Sequence, residues 1–148
     1  MDIVWQIKTF ETLTVSELYS ILKLRSEVFV VEQNCVYLDM DGKDALALHL
    51  FGEYNGQIVA YSRLFKPGIS FDTASIGRVI VSGNYRNKKW GQELMRQSIL
   101  AIENYFGESQ ITISAQLYLK RFYESFGFVA SSEMYLEDDI PHIKMIKG

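Results

Sequence analysis

Two hydrophobic periods run along the 148-residue chain, and together they predict a mixture of strands and helices. Apolar residues that alternate with polar ones, or that form short β-branched and aromatic runs, indicate strands. The predicted strands cover residues 3–10, 46–54, 57–66, 73–81, 111–115, 128–135 and 142–147. Apolar residues spaced three and four positions apart indicate helices. The predicted helices cover residues 14–29, 91–106 and 119–126.

Short polar signals mark the start of one helix and the position of one turn. Thr14 and Glu17 have the spacing of a capping box at the start of the first helix. Asn55-Gly56, between two predicted strands, predicts a tight β-hairpin. The segment Val30–Asp44 is irregular and contains turn residues, which is typical of a long functional loop.

The order β-α-loop-β-β-β-α-β-α-β-β puts a meander of strands before the β-α-β crossovers. This order predicts the α/β class, with one mixed central sheet and helices on its faces. The chain has no low-complexity tract and no linker-like segment, so residues 1–148 are expected to form a single domain. Ligands of open α/β sheets lie beyond the carboxyl ends of strands where the strand order switches, which indicates the end of the strand at residues 73–81.

Composition and charge narrow the class of protein and of partner. Hydrophobic residues make up 48% and charged residues 22% of the chain, as in soluble globular proteins. A net charge of −3 does not suit nucleic-acid binding, and no apolar run is long enough to span a bilayer, so neither nucleic acid nor a membrane is an expected partner. The single cysteine, Cys35, allows no disulfide within the chain, and the N-terminus does not resemble a signal peptide. Both observations fit the cytoplasm.

Three aspartates, Asp39, Asp41 and Asp44, share part of the spacing of a calcium-binding loop. No glutamate closes that loop at the required distance, and one cysteine makes no cysteine cluster, so no metal is expected. Arg25 and Arg78 fit two interpretations, structural ion-pair partners or contacts to an anionic acceptor.

A polar, basic segment connects the strand at residues 73–81 to the helix at residues 91–106. Arg86, Lys88 and Lys89 carry its positive charge, and Gly91 opens the helix. The first turn of a helix binds phosphate well, because its backbone N–H groups are unpaired and the helix dipole is positive there. Gly91 has no Cβ, so a ligand can approach the backbone closely. The segment is either an anion site for one small ligand or an ordinary connection with solvated lysines.

The segments Arg86–Gly91 and Phe122–Phe128 together resemble the GCN5-related N-acetyltransferase (GNAT) superfamily. The acetyl-CoA loop of that superfamily reads Arg/Gln-x-x-Gly-x-Gly/Ala, and a later helix carries Tyr-Glu-x-x-Gly-Phe. Lys89 stands where the superfamily usually has its first glycine, and it is interpreted as an extra phosphate contact or as a solvated side chain. Six strings in the same order are similar to the ElaA-like branch of the superfamily: Val28–Cys35, Asp39–Gly42, Ile76–Val81, Gly91–Met95, Phe122–Phe128 and Asp139–Ile143.

The resemblance implies the GNAT fold, in which a mixed, mostly antiparallel sheet is flanked by helices and a splayed strand pair holds acetyl-CoA. The backbone of Val79 and Val81 would pair with the pantetheine arm like a short added strand. Backbone N–H groups of Asn87–Gly91 would bind the pyrophosphate. The full set of expected acetyl-CoA contacts is Val79, Ile80, Val81, Arg86, Asn87, Lys88, Lys89, Trp90, Gly91, Gln92, Gln116 and Tyr123. By analogy with the family, a homodimer is also expected.

Acetyl transfer from a thioester to an amine needs a neutral amine, a polarised carbonyl and a proton for the departing thiolate. Tyr123 resembles the superfamily's general acid, because a phenol with a pKa of about 10 can donate a proton to a thiolate. The other interpretation of Tyr123 is a core tyrosine. Cys35 is disfavoured as a nucleophile, because no base accompanies it in its local motif. A water chain could replace the general base, which is otherwise sought among Glu32, Asp39, Asp41, His49 and His142.

The chain is therefore expected to be an acetyl-CoA-dependent N-acetyltransferase in which a primary amine attacks the thioester directly. The acceptor is unidentified, and the acidic residues of Glu32–Asp44 favour a cationic amine such as a polyamine, a lysine side chain or a protein N-terminus. Two alternatives stay open. One is an acetyl-CoA-binding sensor that transfers nothing, and the other is an acyltransferase that resembles acyl-homoserine-lactone synthases.

Overall fold

Residues 2–148, which the computed structural model describes, form eight strands and three α-helices. Two helices continue into π-helical turns at Ser26–Glu32 and Ile102–Phe106, and short 3₁₀ turns lie at Phe10–Thr12, Asp44–Leu46, Gly83–Lys88 and Leu117–Leu119. The elements are β1 (Val4–Thr9), α1 (Val15–Arg25), β2 (Leu48–Tyr54), β3 (Gln57–Phe65), β4 (Ala74–Val81), α2 (Trp90–Ala101), β5 (Ile111–Gln116), α3 (Lys120–Glu124), β6 (Val129–Ala130), β7 (Tyr135–Glu137) and β8 (Ile140–Lys147). Within residues 2–148, no helix is both long and apolar enough to cross a membrane.

All eight strands belong to one sheet, in the order β1-β2-β3-β4-β5-β8-β6, with β7 paired to β8 beside β6. The β4–β5 pair is parallel, and the other strand pairs of the described chain are antiparallel. The predicted fold class, a mixed and mostly antiparallel sheet flanked by helices, is therefore confirmed.

The two faces of the sheet bury two separate apolar clusters. The larger cluster lies under α2 and α3 and includes Leu94, Met95, Tyr123 and Phe128. The smaller cluster lies under α1, and its buried members are Ile21, Leu24, Val28, Phe51, Tyr61 and Ile80. Because alternate residues of a strand point to opposite faces, Val79 and Val81 pack toward the first cluster while Ile80 packs into the second.

The two local signals predicted the local structure correctly. Thr14 caps α1, accepting a hydrogen bond from the backbone N–H of Glu17 at 3.0 Å while the Glu17 carboxylate accepts one from the backbone N–H of Thr14 at 2.9 Å. Asn55 and Gly56 both have positive φ, 53° and 73°, as the central residues of a type I′ hairpin turn require.

The C-terminal edge of the sheet differs from the prediction. The single strand predicted at residues 128–135 is wrong, because the chain leaves the sheet between β6 and β7. At this point Ser132 Oγ accepts a hydrogen bond from the Lys144 N–H, and thus takes the place of a backbone carbonyl. The last strand begins at Ile140 instead of residue 142, so His142 lies inside β8. The helical path after α1 also continues to Glu32, three residues into the segment predicted as a loop.

Candidate active site

The cleft of the molecule lies where β4 and β5 separate. The two strands pair only at Ala74–Ile111 and Ser75–Thr112, and beyond these residues they diverge. The space between them has a volume of about 520 Å³ and is lined by β4, β5, α3, β8 and the π-helical turn after α1. The splayed strand pair is thus formed by the fold itself, at the strand end that the topology indicated.

A β-bulge in β4 bends the strand beside this cleft. Gly77 faces Arg63 and Ile80 faces Tyr61, so β4 has one more residue than β3 between these pairs. Arg78 occupies the bulge with a φ of 50°, a conformation that a residue with a side chain rarely adopts. The strain is compensated by two hydrogen bonds, in which Arg78 Nε donates to Asp39 Oδ1 at 2.8 Å and Nη2 donates to the Asp39 carbonyl at 2.9 Å.

After the bulge, β4 presents a backbone edge to the cleft. The Ser82 N–H donates to the Val59 carbonyl on the β3 side. Since backbone groups alternate in direction along an antiparallel strand, the N–H and C=O groups of Val79 and Val81 point to the cleft side. The Val81 carbonyl accepts a hydrogen bond from Arg86 Nε there, at 3.2 Å. This edge has the geometry needed to pair with an extended amide-bearing ligand.

The connection from β4 to α2 is a 3₁₀ turn with a left-handed residue at its end. Lys89 has a φ of 61°, which is the conformation that favours glycine and explains why a glycine is usual at this position of the motif. Trp90 does not face the cleft but packs its ring against Tyr54 and Tyr85, with centroid separations of 5.1 and 5.4 Å. This aromatic cluster anchors the start of α2 to β2.

Gly91 lies in the first turn of α2 and lines the cleft. A Cβ built on it would lie 3.8 Å from the Phe122 ring and 3.9 Å from Val81 Cγ2, which is ordinary contact. The fold itself would therefore accept a side chain at this position, and the open space belongs to the cleft. Of the other expected contacts in this segment, Asn87, Lys88, Lys89 and Gln92 are exposed to solvent.

Arg86 and Glu32 form an ion pair across the mouth of the cleft. Arg86 Nη1 lies 2.6 Å from Glu32 Oε2, and each side chain is nearly half exposed. Glu32 was expected among the bases and Arg86 among the acetyl-CoA contacts, but in this structure they bind each other. Next to them Gln33 and Gln116 exchange two side-chain amide hydrogen bonds, at 3.1 and 3.2 Å. The π-helical turn is thus linked to the walls of the cleft on both sides.

Tyr123 lies on α3 at the inner end of the cleft and is only 6% exposed. Its ring packs edge-on against Phe122 and Phe128, at centroid separations of 5.2 and 6.2 Å. Burial, and to a smaller degree the neighbouring Tyr118, raises the pKa of the Tyr123 phenol above its usual value. The hydroxyl therefore keeps its proton near neutral pH and can act as a donor.

His142 lies on β8 and lines the same cleft, and its side chain is 8% exposed. The Ile140 carbonyl lies 2.7 Å from Nδ1, which assigns the proton of the neutral ring to Nδ1 and leaves the Nε2 lone pair free. Glu137 Oε2 is 3.4 Å from Nε2. Glu137 was missed by sequence reasoning, and the only signal for it was the acidic run before Pro141.

The structure places His49 away from the cleft. It is fully buried in β2, with Nδ1 2.6 Å from the Tyr61 hydroxyl and Nε2 2.9 Å from the Asp44 carbonyl. Burial lowers the pKa of His49, with the carbonyl of Asp44 opposing that shift. With both nitrogens engaged, His49 has the surroundings of a structural histidine.

The three aspartates of the partial calcium motif are paired with arginines. Asp39 binds Arg25 and Arg78, Asp41 binds Arg63, and Asp44 binds both Arg25 and Arg63 through N–O distances of 2.7 and 3.0 Å. Burial alone would favour the neutral acid, but hydrogen bonds from these arginines hold the pKa of Asp41 and Asp44 below their usual value. The cluster ties the segment 37–46 to the sheet, and Arg25 and Arg78 are structural ion-pair partners.

Cys35 lines the cleft, where its thiol donates to the Asp138 carbonyl at 3.3 Å. This contact joins the segment after the π-helical turn to the β7–β8 hairpin. The hairpin turn consists of Asp138 and Asp139, with φ values of 52° and 63°. Asp138 of this turn also lines the cleft.

Comparison with known proteins agrees with this geometry. Residues 17–148 match the family model of the acetyltransferase (GNAT) domain. The chain is 43% identical to the protein ElaA of Escherichia coli strain K12 over 145 residues, which are 97% of this chain and 95% of ElaA. The crystal structure of Escherichia coli ElaA superposes with a TM-score of 0.90 at 42% identity, over 98% of this chain and 99% of that chain.

Two further solved structures are similar to different degrees. An acyl-CoA N-acyltransferase from Pseudomonas aeruginosa superposes with a TM-score of 0.94 at 42% identity, over 99% of this chain and 100% of that chain. A GNAT family acetyltransferase from Elizabethkingia anophelis with acetyl-CoA bound has a TM-score of 0.65 at 17% identity, over 98% of this chain and 97% of that chain, and shares the fold alone.

Proposed function

Because the chain belongs to the GNAT acetyltransferase family and is an acyltransferase of that family, we propose that it transfers an acetyl group from acetyl-CoA directly to a primary amine. The observation that carries this proposal is the splayed β4–β5 pair, whose free backbone edge runs into a cleft that also contains Tyr123 and His142. A thioester bound along that edge would meet a proton donor and a proton acceptor in one enclosed space.

Acetyl-CoA binding is proposed for the two ends of this edge. The amides of the pantetheine arm pair with Val79 and Val81, where β5 has turned away and leaves the strand without a neighbour on that side. The pyrophosphate lies at the first turn of α2, where Gly91 leaves room for it and the helix N-terminus favours its charge. Arg86 is close enough to contribute once it exchanges Glu32 for a phosphate oxygen.

Tyr123 is the proposed general acid. A phenol is protonated near neutral pH, and the Tyr123 hydroxyl makes no hydrogen bond within residues 2–148, so its proton is available to a departing thiolate. The aromatic contacts of its ring fix its position at the inner end of the cleft.

His142 is the proposed general base. Among the predicted candidates in residues 2–148, His49 has both nitrogens engaged, Glu32 is ion-paired with Arg86, and the aspartates are paired with arginines. The Nε2 atom of His142 is the one that combines a lone pair with access to the cleft. The Nδ1 bond to the Ile140 carbonyl holds the ring in the tautomer that a base requires.

The proton balance of the reaction follows from these two roles. His142 Nε2 takes one proton from the acceptor ammonium, and the neutral amine attacks the thioester carbonyl. The carbon–sulfur bond breaks, and Tyr123 gives its proton to the thiolate. The new amide nitrogen loses its second proton, which returns through solvent to the Tyr123 oxygen. The net products are the N-acetyl amine, CoA and one proton, and no covalent bond forms to the protein.

The test is release of free CoA from acetyl-CoA, followed with a thiol reagent, in the presence of a panel of primary amines. The proposal expects amine-dependent release that falls by roughly 10²-fold or more in His142→Gln, as for loss of a general base. Binding of acetyl-CoA with no amine-dependent release from any member of the panel would instead support a non-catalytic sensor.

A further inference from the structure

The acidic residues expected to attract a cationic acceptor are not free to do so. Asp39, Asp41 and Asp44 are each bound by arginine side chains, with N–O distances of 2.7 to 3.0 Å in the close pairs. Glu32 is bound by Arg86. Each of these carboxylates is therefore neutralised by a neighbouring cation, and a positive charge in the cleft must be balanced elsewhere.

Two carboxylates that line the cleft, those of Asp138 and Glu137, differ from this pattern, and the one that reaches His142 is Glu137. It ends β7, lines the cleft, and has a half-exposed side chain. Within residues 2–148 no lysine or arginine lies in ion-pair distance of it. Its oxygens face two groups of the cleft wall, Ser114 Oγ, which donates to Oε1 at 3.3 Å, and His142 Nε2, which lies 3.4 Å from Oε2.

The ring of His142 is the second feature of this place. The His142 side chain is more than nine-tenths buried, and its Nδ1 is bound to the Ile140 carbonyl. Its Nε2 makes no hydrogen bond within residues 2–148 and is not one of the fully buried polar atoms, so it is accessible from the cleft to a ligand or to water. The Nε2 lone pair and the Glu137 carboxylate are both acceptors, so the group that satisfies them together is a donor with several hydrogens, such as an ammonium.

We propose that Glu137 and His142 form the acceptor subsite and that the acceptor is an alkyl primary amine bound as its ammonium ion. This inference rests on the proposed function, and it adds the substrate class and a specificity-determining residue. The ammonium donates one hydrogen bond to Glu137 and one to His142 Nε2. His142 then takes the shared proton, and Glu137 stabilises the resulting imidazolium at 3.4 Å.

This subsite disfavours two other classes of amine. Aromatic amines are uncharged near neutral pH and gain nothing from Glu137. Free amino acids carry a carboxylate beside their amine, which Glu137 and the adjacent Asp138 would repel, since both side chains line this end of the cleft. A lysine side chain or an aliphatic diamine has no such carboxylate near the reacting nitrogen.

The test uses 1,5-diaminopentane as the probe and the histidine C–H signals in NMR as the readout. The chain has two histidines, so His142 reports on the subsite and the buried His49 reports on the fold. The diamine is titrated into the full protein, alone and with CoA present, so that no acetyl group is available for turnover. 1,5-Pentanediol, which has the same length and no charge, is titrated in parallel.

The proposal expects the diamine to move the His142 signals and leave those of His49 in place, while the diol moves neither. Glu137→Gln raises the dissociation constant of the diamine by about tenfold or more, as for loss of a hydrogen bond between two charged groups. Glu133→Gln, which removes the same charge from an exposed residue near the hairpin, leaves it unchanged. No shift of His142 with the diamine, equal binding of the diol, or a Glu137→Gln effect no larger than that of Glu133→Gln would overturn the subsite.

Failure of this inference is distinguishable from failure of the proposed function. If the diamine binds as expected but no amine releases CoA from acetyl-CoA, the subsite stands and the transferase proposal fails. If amines are acetylated but Glu137→Gln raises the Michaelis constants of alkyl and aromatic amines equally, the transferase stands and the subsite fails.

Discussion

Replacing Tyr123 with phenylalanine removes the proposed proton donor and little else. The ring keeps its contacts with Phe122 and Phe128 at 5.2 and 6.2 Å. No hydrogen bond of the Tyr123 hydroxyl is lost, since none forms within residues 2–148. The expected cost in the free energy of unfolding is therefore below about 1 kcal/mol. If Tyr123 had a structural role only, the substitution would lower the free energy of unfolding and leave turnover nearly unchanged.

The expected effect on turnover is much larger. A positioned general acid contributes roughly 10²–10⁴-fold, so kcat for a good amine acceptor should fall by that factor. The interaction with the thiolate exists chiefly in the transition state, so the dissociation constant of acetyl-CoA should change by no more than about threefold. Both constants come from CoA release at varied acetyl-CoA and from calorimetry on the same preparation.

Tyr118→Phe is the matched control. Tyr118 lines the same cleft and is 76% exposed, so the change removes a similar hydroxyl from a solvated position. Its kcat is expected to stay near that of the unmodified protein. Equal kcat values for Tyr123→Phe and the unmodified protein, or a loss confined to Tyr118→Phe, would refute the assignment of the acid.

Three further predictions test the cofactor end and the charge cluster. In thermal unfolding, acetyl-CoA at a hundred times its dissociation constant should stabilise the fold by about 2.7 kcal/mol, and acetyl-pantetheine by much less. Equal increases in melting temperature with the two ligands would exclude a phosphate contact. Gly91→Asp should weaken acetyl-CoA binding by roughly 100-fold through charge repulsion, and Gly91→Asn should weaken it far less. Both affinities are measured by calorimetry, and the melting temperature of each variant should be unchanged. An equal loss of affinity in the two variants would mean that the size of the side chain, not its charge, weakens binding. Asp44→Asn should cost about 3–5 kcal/mol in denaturant unfolding, because it leaves Arg25 without one of its buried partners. The lowered pKa of Asp44 in the folded state means that its contribution is present above about pH 4 and is lost as pH falls below it. In Asp44→Asn, the free energy of unfolding should therefore depend less steeply on pH below about pH 4. The same pH dependence as in the unmodified protein would contradict the pairing of Asp44 with the arginines.

Elements with a strong local pattern were predictable from the sequence. The capping box at Thr14 and the Asn55-Gly56 turn depend on residues within four positions of each other, and both have the expected geometry. The position of the cleft at the end of β4 follows from strand order alone, because the crossover from β4 to β5 leaves the sheet open there.

The charge balance of the cleft was not predictable, because it depends on residues far apart in sequence. Arg25 and Asp39 are 14 positions apart, and Arg78 and Asp39 are 39 apart. The sequence alone predicted that these aspartates attract a cationic acceptor, whereas in the fold arginines neutralise them. Glu137, which has no lysine or arginine partner within residues 2–148, belongs to β7, and only Tyr135 of that strand lay inside the strand predicted at residues 128–135.

The consequence of having Lys89 at a position that favours glycine was also not predictable from the sequence. The departure from the family motif was visible in the sequence, and its consequence for the phosphates was left open between contact and solvation. The structure shows the backbone in the left-handed conformation with the side chain exposed. The local chain path is thus kept without glycine, through the packing of the adjacent Trp90 on Tyr54 and Tyr85.

The central claim is that an acetyl group passes from CoA to an amine in this cleft without residing on the protein. A single-turnover experiment with acetyl-labelled acetyl-CoA and 1,5-diaminopentane, quenched at intervals and analysed by mass spectrometry, tests it most directly. The account predicts one labelled N-acetyl amine for each CoA released, with the intact protein unlabelled at every interval. Label on the protein before the product forms, for example at Cys35, or no labelled amine at all, would contradict it.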